Sequence, residues 1–108
     1  MKLIKRNGSE EIFNKEKIYL AVEKANGAVD EADRIKPHHI EKITDRVTKK
    51  CTKLGRAVSV EEVQDMVERE IMSLGAFALA KTYITYRYTR ELVRKANTTD
   101  DKIMSLIE

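Results

Sequence analysis

The sequence predicts an α+β domain, a bundle of about four helices capped by a small three-stranded sheet that contains an N-terminal β-hairpin. Two observations carry this prediction. Apolar residues recur every three or four positions in four separate segments, which is the spacing of one helical face. Short β-prone runs occur on either side of Asn7-Gly8, and again between the second and third helical segments. A chain of 108 residues is long enough for one domain with a single core.

The hairpin is predicted from residues 2–6 and 10–13, joined by Asn7-Gly8. Both turn residues tolerate the positive φ that a type I′ turn requires. Asn14 then stands at the N-cap of the first helix. Cationic side chains lie close to this helix start, an arrangement that suits a polyphosphate ligand. The same charges would also protect an edge strand from aggregation.

The first two helices are predicted from the spacing of their apolar residues and from the residues that begin and end them. The first carries its apolar face on Ile18, Ala21, Val22 and Ala25, and it is expected to end at Asn26-Gly27, with Gly27 as the left-handed residue after it. Residues 28–36 are polar and predict a loop with at most a helical turn. Pro37 suits the first turn of the second helix, which Gly55 ends. Its apolar stripe is Ile40, Ile43, Val47, Cys51 and Leu54.

Residues 56–60 predict a third strand, parallel to the hairpin, because the preceding helices supply the crossover that parallel pairing needs. Ser59-Val60-Glu61-Glu62 is a capping box that begins the third helix, and Gly75 ends it. The apolar stripe of that helix is Val63, Met66, Val67, Ile71 and Leu74. The fourth helix starts near Ala76, and the stripe predicted to be buried is Phe77, Ala80, Ile84, Tyr88 and Leu92. A short helix over residues 102–108 would follow.

The composition excludes several functional classes. A net charge of +3 suits an anionic ligand but is low for a dedicated DNA-binding domain. One cysteine, Cys51, allows no internal disulfide, and the adjacent His38 and His39 point to different helix faces, so no metal site is predicted. No catalytic triad, Walker A motif or G-x-G-x-x-G is present. The sequence lacks an apolar run of membrane-spanning length, and a soluble, cytoplasmic protein is expected.

A second basic feature lies on the fourth helix. Arg87, Arg90 and Arg94 recur at i, i+3 and i+7, with Tyr83 and Tyr86 beside them. Such a stripe could bind phosphates or RNA, or it could be a solvated face near a helix C-terminus. From the residues alone, the chain is a ligand-binding or interaction module.

Three segments in the right order resemble the ATP-cone family. Residues 3–8 (LIKRNG) and 11–18 (EIFNKEKI) resemble its hairpin and first helix start, residues 59–68 (SVEEVQDMVE) its second signature, and residues 80–87 (AKTYITYR) its third. The resemblance implies an ATP-cone nucleotide-binding domain over residues 1–95. Residues 96–108 would then begin the connection to a catalytic domain.

ATP cones are regulatory domains that bind ATP or dATP and control the overall activity of ribonucleotide reductases. The resemblance therefore implies an allosteric domain without catalysis of its own, in which ATP favours an active state and dATP an inactive one. The tail, residues 95–104, resembles the connection into an anaerobic ribonucleoside-triphosphate reductase. The implied partners are the nucleotide with Mg²⁺, the catalytic domain and a second cone, with neither membrane nor nucleic acid expected.

Alternatives remain at this stage. The family also includes the cone of a nucleotide-sensing transcriptional repressor, but the paired cysteines that precede that cone are absent here. A basic helical module for oligomerisation or nucleic-acid binding is the other alternative. It would act through the arginine stripe of the fourth helix.

The resemblance also implies roles for individual residues. Lys5 and Arg6 would contact phosphates, while Glu11 and Asn14 would hold the adenine and ribose end, with Lys17 after them. Arg87 matches the family's arginine, but Tyr88 follows it where some cones carry a phosphate-binding lysine. Apolar walls for the base and a polar position on the third helix complete the set of candidate nucleotide-binding residues, which is Leu3, Lys5, Arg6, Glu11, Asn14, Lys17, Ile18, Val60, Gln64 and Arg87.

Overall fold

A computed structural model of the protein describes residues 2–5 and 8–87. These residues form four α-helices and a three-stranded sheet, so the predicted α+β class is confirmed. The strands are β1 (Lys2–Ile4), β2 (Glu10–Ile12) and β3 (Val58–Ser59), and the helices are α1 (Lys15–Ala28), α2 (Pro37–Lys53), α3 (Val60–Ser73) and α4, which begins at residue 77 and is helical through residue 87. The sequence-based expectations for Arg6, Asn7, Tyr88, Arg90, Leu92, Arg94 and residues 96–108 lie outside the described residues.

The sheet has the order β2-β1-β3, with β1 in the centre. Leu3 of β1 lies opposite Glu11 of β2 in the antiparallel pair, and Ile4 lies opposite Ser59 of β3 in the parallel pair. The parallel third strand predicted from the crossover is confirmed. Because Ser59 also caps α3, the end of β1 lies next to the start of that helix.

One core joins the helices to the inner face of the sheet. Its fully buried members come from α1, α2, β3, α3 and α4, and they include Val22, Ile43, Val47, Val58, Ile71 and Leu79. The predicted stripe of α2 is buried except for Leu54, which was wrongly placed on it. Leu54 is the C-cap residue, where the helical repeat stops before Gly55 takes a φ of 64°. Leu74, the C-cap of α3, is exposed for the same reason.

The predicted end of α1 was also wrong. Gly27 lies inside the helix, and no left-handed residue closes it. Instead, the Arg34 side chain donates hydrogen bonds to the carbonyl groups of Gly27 and Val29, at 3.2 and 3.1 Å. The Asn26 amide exchanges two hydrogen bonds of 2.9 Å with the backbone of Ile35. Residues of the following loop therefore supply hydrogen-bond partners for the last turn of the helix, so no glycine cap is needed.

The start of α3 follows its sequence signal. The Glu62 N–H donates to Ser59 Oγ at 3.1 Å, as the capping box predicted. The Glu62 carboxylate forms a two-point ion pair with the Arg56 guanidinium at 3.1 and 3.3 Å. Gly75, with a φ of 76°, ends α3 as expected.

The buried face of α4 differs from the prediction. Ala80 of the predicted stripe is buried, but Phe77 is 70% exposed and Ile84 is 38% exposed. Leu79 and Tyr83, which were not part of that stripe, are buried. Both sets of residues have helical spacing, so periodicity alone does not choose between them. The choice depends on contacts with α3, where Arg87 of α4 forms ion pairs.

No helix within residues 2–5 and 8–87 is both long and apolar enough to cross a membrane. The large apolar side chains that are exposed in the described residues are Ile12 of β2, Leu20 of α1, Leu54, Met72 and Leu74 at the ends of α2 and α3, and Phe77 and Ile84 of α4.

Candidate functional site

The site predicted from the sequence begins with three charged side chains at the hairpin. Lys5 Nζ lies 3.2 Å from Glu11 Oε2, and Lys17 Nζ lies 3.4 Å from Glu11 Oε1. Lys5 follows β1, Glu11 lies on β2, and Lys17 is in the first turn of α1. The fold thus joins three consecutive elements through one carboxylate. We call Lys5, Glu11 and Lys17 the hairpin cluster.

The two lysines keep Glu11 ionised. The Lys5 ammonium, with a smaller effect from Lys17, holds the pKa of the Glu11 carboxyl below its ordinary value. These ion pairs are open to solvent, so they contribute little to the stability of the fold. Their interest lies in the surplus of positive charge, two cations around one anion.

Asn14 positions the start of α1 beside this cluster. Its side-chain oxygen accepts a hydrogen bond from the Glu16 N–H at 3.0 Å, which confirms the predicted N-cap. Its carbonyl oxygen accepts from the Lys17 N–H at 3.2 Å. Two N–H groups at this helix start are therefore already engaged. Attraction for an anion here must come mainly from the lysine side chains.

The remaining apolar and polar candidates lie around the inner side of the hairpin. Leu3 is half-buried and packs against the core, and Ile18 is buried within the core, so little of its surface faces a ligand. Val60 begins α3 directly after the strand residue that pairs with Ile4. Gln64 is half-buried one turn further along α3.

Arg87 belongs to a different ion cluster, between α3 and α4. Its Nη1 atom lies 2.8 Å from Asp65 Oδ1 and 2.7 Å from Glu68 Oε1, and its side chain is 19% exposed. Burial alone would lower the pKa of the guanidinium, but the two carboxylates outweigh burial and raise it. Asp65 and Glu68 thus already pair with the arginine that the resemblance includes among the nucleotide-binding residues.

The tyrosines beside the predicted arginine stripe do not form an exposed stacking surface. Tyr83 is buried, and this burial raises the pKa of its hydroxyl. The Tyr86 ring packs against α1, with Lys24 Nζ 5.2 Å from the ring centroid. Base stacking needs exposed aromatic faces, so this geometry disfavours the nucleic-acid alternative.

Sequence reasoning missed a second ion cluster, which joins α2 and α3. The Glu70 carboxylate lies 2.8 Å from Lys50 Nζ and 3.4 Å from Arg46 Nη1, and its side chain is only 8% exposed. The signal was present, because Glu70 falls on the buried face of α3, three residues after Val67 and next to Ile71. A carboxylate at such a position requires a cationic partner.

Within the described part of the chain, no group of three or more His, Cys, Asp and Glu side chains could hold a metal ion. The cysteine of α2 is buried in the core, and burial raises the pKa of the Cys51 thiol.

Fold and hairpin cluster together define a small α+β domain with a cationic site at the start of its first helix. The chain belongs to the ATP-cone family, since the family model described as ATP cone domain matches residues 1–92. The resemblance found in the three signatures is thus confirmed.

Similar proteins are ribonucleotide reductases. The chain is 33% identical over 112 residues to the ribonucleoside-diphosphate reductase subunit alpha of Chlamydia muridarum, an alignment that covers 96% of this chain and 11% of that protein. It is 31% identical over 108 residues to the anaerobic ribonucleoside-triphosphate reductase of Haemophilus influenzae, and this alignment covers 98% of this chain and 15% of that protein. It is 30% identical over 103 residues to the vitamin B12-dependent ribonucleoside-diphosphate reductase of Thermoplasma acidophilum, and this alignment covers 86% of this chain and 12% of that protein. The chain thus spans only a small part of each relative.

Proposed function

We propose that this domain binds an adenine nucleoside triphosphate, ATP or dATP, at the hairpin cluster and acts as the allosteric sensor of a ribonucleotide reductase. The observation that carries the proposal is the pairing of Lys5 and Lys17 around Glu11 at a capped helix start. Membership of the ATP-cone family supports the choice of nucleotide. Mg²⁺ would accompany the triphosphate through its phosphate oxygens.

Binding requires a rearrangement of the hairpin cluster. Glu11 engages both lysines, so a triphosphate that binds Lys5 and Lys17 must compete with this carboxylate. If Glu11 turns to the sugar or base, as the resemblance implies, then one movement frees both cations. The exchange costs little, because all three side chains remain partly in water.

Regulation would depend on a difference between the two nucleotides. ATP and dATP differ only at the ribose 2′-hydroxyl, so that group must interact differently with the active and inactive states. Allosteric coupling between two sites is typically about 1–3 kcal/mol. Arg87 joins this proposal only if a phosphate displaces Asp65 and Glu68 from it.

The parent enzyme is proposed at the level of the reductase class. The similar proteins include diphosphate, anaerobic triphosphate and B12-dependent reductases. An anaerobic parent, with a connection beginning at residue 96, stays a prediction from the resemblance of the tail. The catalytic part of that enzyme would be the domain's partner.

The proposal is tested by titration calorimetry of the chain with ATP, dATP and GTP in the presence of Mg²⁺. We expect the adenine nucleotides to bind with Kd values on the order of micromolar. Lys5→Ala should weaken binding by about tenfold to a hundredfold, since charged hydrogen bonds contribute about 1.5–3 kcal/mol. Far-UV circular dichroism should show that the variant is folded.

Lys36→Ala is the matched control. Lys36 is an exposed lysine that precedes α2, near the far end of α1 from the hairpin. Its removal lowers the net charge equally, so it should leave the affinity within about a factor of two. Equal losses in the two variants, or no heat with any nucleotide at high protein concentration, would contradict the proposal.

We also propose that a second copy of the domain covers the exposed apolar face of α4. Phe77 and Ile84 lie two helical turns apart on that face. Sedimentation velocity with and without ATP should detect a dimer or larger species. Phe77→Ser should shift the population towards monomer, whereas an unchanged distribution would count against this contact.

A further inference from the structure

A basic groove lies where α2 meets α3, and it is lined by none of the residues of the hairpin cluster. It is a cavity of about 280 Å³ lined by four cationic side chains and one carboxylate, which are Arg46, Lys49, Lys50, Lys53 and Glu70. The cations recur at i, i+3, i+4 and i+7, so they share one side of the helix. We call these five residues the basic groove.

The groove carries an excess of positive charge. Its surplus of cations over carboxylate equals the net charge of +3 of the whole chain. Glu70 partly neutralises Lys50 and Arg46, at 2.8 and 3.4 Å. Lys49 and Lys53 form no ion pair with any residue in the described ranges. Two lysines therefore remain available to an outside anion.

Helix electrostatics account for only part of this pattern. Lys50 and Lys53 lie in the last turn of α2, where cations are favoured by the helix dipole. Arg46 and Lys49 lie earlier, and like charges at this spacing repel one another. Glu70 is nearly buried between α2 and α3, and its ion pairs restrict the half-exposed side chains of Arg46 and Lys50. The groove is thus partly pre-organised.

The surroundings identify the kind of anion that fits. Among residues 2–5 and 8–87, no aromatic side chain lines the groove, so this part of the chain offers it no stacking surface of the kind typical of single-stranded nucleic-acid sites. It lies towards the C-terminal end of α2, where carbonyl groups rather than N–H groups face outwards, which disfavours a compact phosphate. Single carboxylates spaced along a peptide match separate lysines better.

We propose that the basic groove docks an acidic segment of a protein partner, whose carboxylates pair with Lys49 and Lys53. The two lysines are one helical turn apart, and acidic residues at similar spacing on a helix or extended segment would reach both. This proposal does not depend on nucleotide binding at the hairpin, because the groove shares no residue with that site.

The test is fluorescence anisotropy with a labelled oligoglutamate peptide at low ionic strength. We expect saturable binding that weakens steeply with salt. The double variant Lys49→Glu/Lys53→Glu should reduce affinity by at least about tenfold, because it replaces attraction with repulsion. If that variant fails to fold, Lys49→Gln/Lys53→Gln provides the same test with a smaller loss.

The control double variant is Lys36→Glu/Lys81→Glu, which changes the net charge equally at exposed lysines outside the groove. It should retain most of the affinity, and ATP titration of the groove variant should match wild type. Equal losses in both double variants would overturn the proposal, as would the absence of peptide binding. Stronger competition by tripolyphosphate or oligothymidylate than by unlabelled oligoglutamate would overturn it too.

Discussion

Leu79→Ala is expected to lower the free energy of unfolding by about 2–5 kcal/mol, one of the two largest effects foreseen for this domain. Leu79 is 0% exposed in the core between α4 and the other helices. Its truncation removes buried carbon atoms and leaves a cavity that the close-packed surroundings fill only in part. Small domains have about 5–15 kcal/mol of stability in total, so a large fraction would be lost.

Phe77→Ala, two residues away, is the matched comparison. Phe77 is 70% exposed, so its truncation should change the stability by less than about 1 kcal/mol. Urea denaturation of both variants at low protein concentration, where any self-association is absent, measures the difference. The opposite ranking would mean that α4 packs in the register predicted from sequence and that the buried face described above is incorrect.

Removal of both cations from Glu70 is expected to have the second large effect. Arg46→Met/Lys50→Met would leave a carboxylate that is only 8% exposed without a partner. Breaking a buried pair in this way typically costs about 3–5 kcal/mol, and water near the open groove should reduce the loss to about 2–3 kcal/mol at pH 7. The loss comes from the unpaired charge.

The pH dependence distinguishes this cause from a loss of packing. Burial raises the pKa of Glu70, but Lys50 and Arg46 outweigh it and hold the pKa below its ordinary value. In the wild type, this group therefore stabilises the fold above the unfolded-state pKa, and the contribution is lost as the pH falls through the lower folded-state pKa. In the double variant, only burial acts on Glu70, and it raises the folded-state pKa of this carboxyl. The cost of burying the unpaired carboxylate therefore disappears when acidification protonates it.

The stability gap between the two proteins should therefore narrow between about pH 7 and pH 4. Chemical denaturation across that range measures the gap. A third substitution, Glu70→Leu, should restore most of the stability at pH 7, because an apolar triad can replace a buried ionic one. A gap that stays constant with pH would show that lost side-chain packing, not the carboxylate, causes the effect.

The parts of the fold that sequence reasoning could predict rest on local signals. Asn14 and Ser59 cap helices through bonds to residues two and three positions away, and Gly55 and Gly75 take the positive φ that ends a helix. Their partners lie within one turn of chain, so the residue types suffice. The parallel third strand was predictable because the crossover before it is long.

The incorrect predictions concern features that depend on residues distant in sequence. The end of α1 is decided by Arg34 and by the bonds between Asn26 and Ile35, nine residues apart. The face of α4 depends on its packing against α3. Local spacing contains neither contact, because each needs two segments to be placed together first.

For the candidate site, the sequence indicated the residues but not their state. Lys5, Glu11 and Lys17 were named together, and the structure brings them into one cluster. The bridging position of Glu11 was not foreseen, since it depends on the hairpin register that sets Glu11 opposite Leu3. The engagement of Arg87 by α3 was likewise outside the reach of a local pattern.

The central position of β1 has a consequence for folding order. β1 and β2 are neighbours in sequence, so the hairpin can close early, at the low entropic cost of a short loop. The other edge of β1 waits for β3, more than fifty residues later in the chain. During synthesis, β1 is therefore made first, but its pairing on both edges is completed only after β3 has been made. Its free edge is only three residues long, which limits mispairing with other chains during the wait.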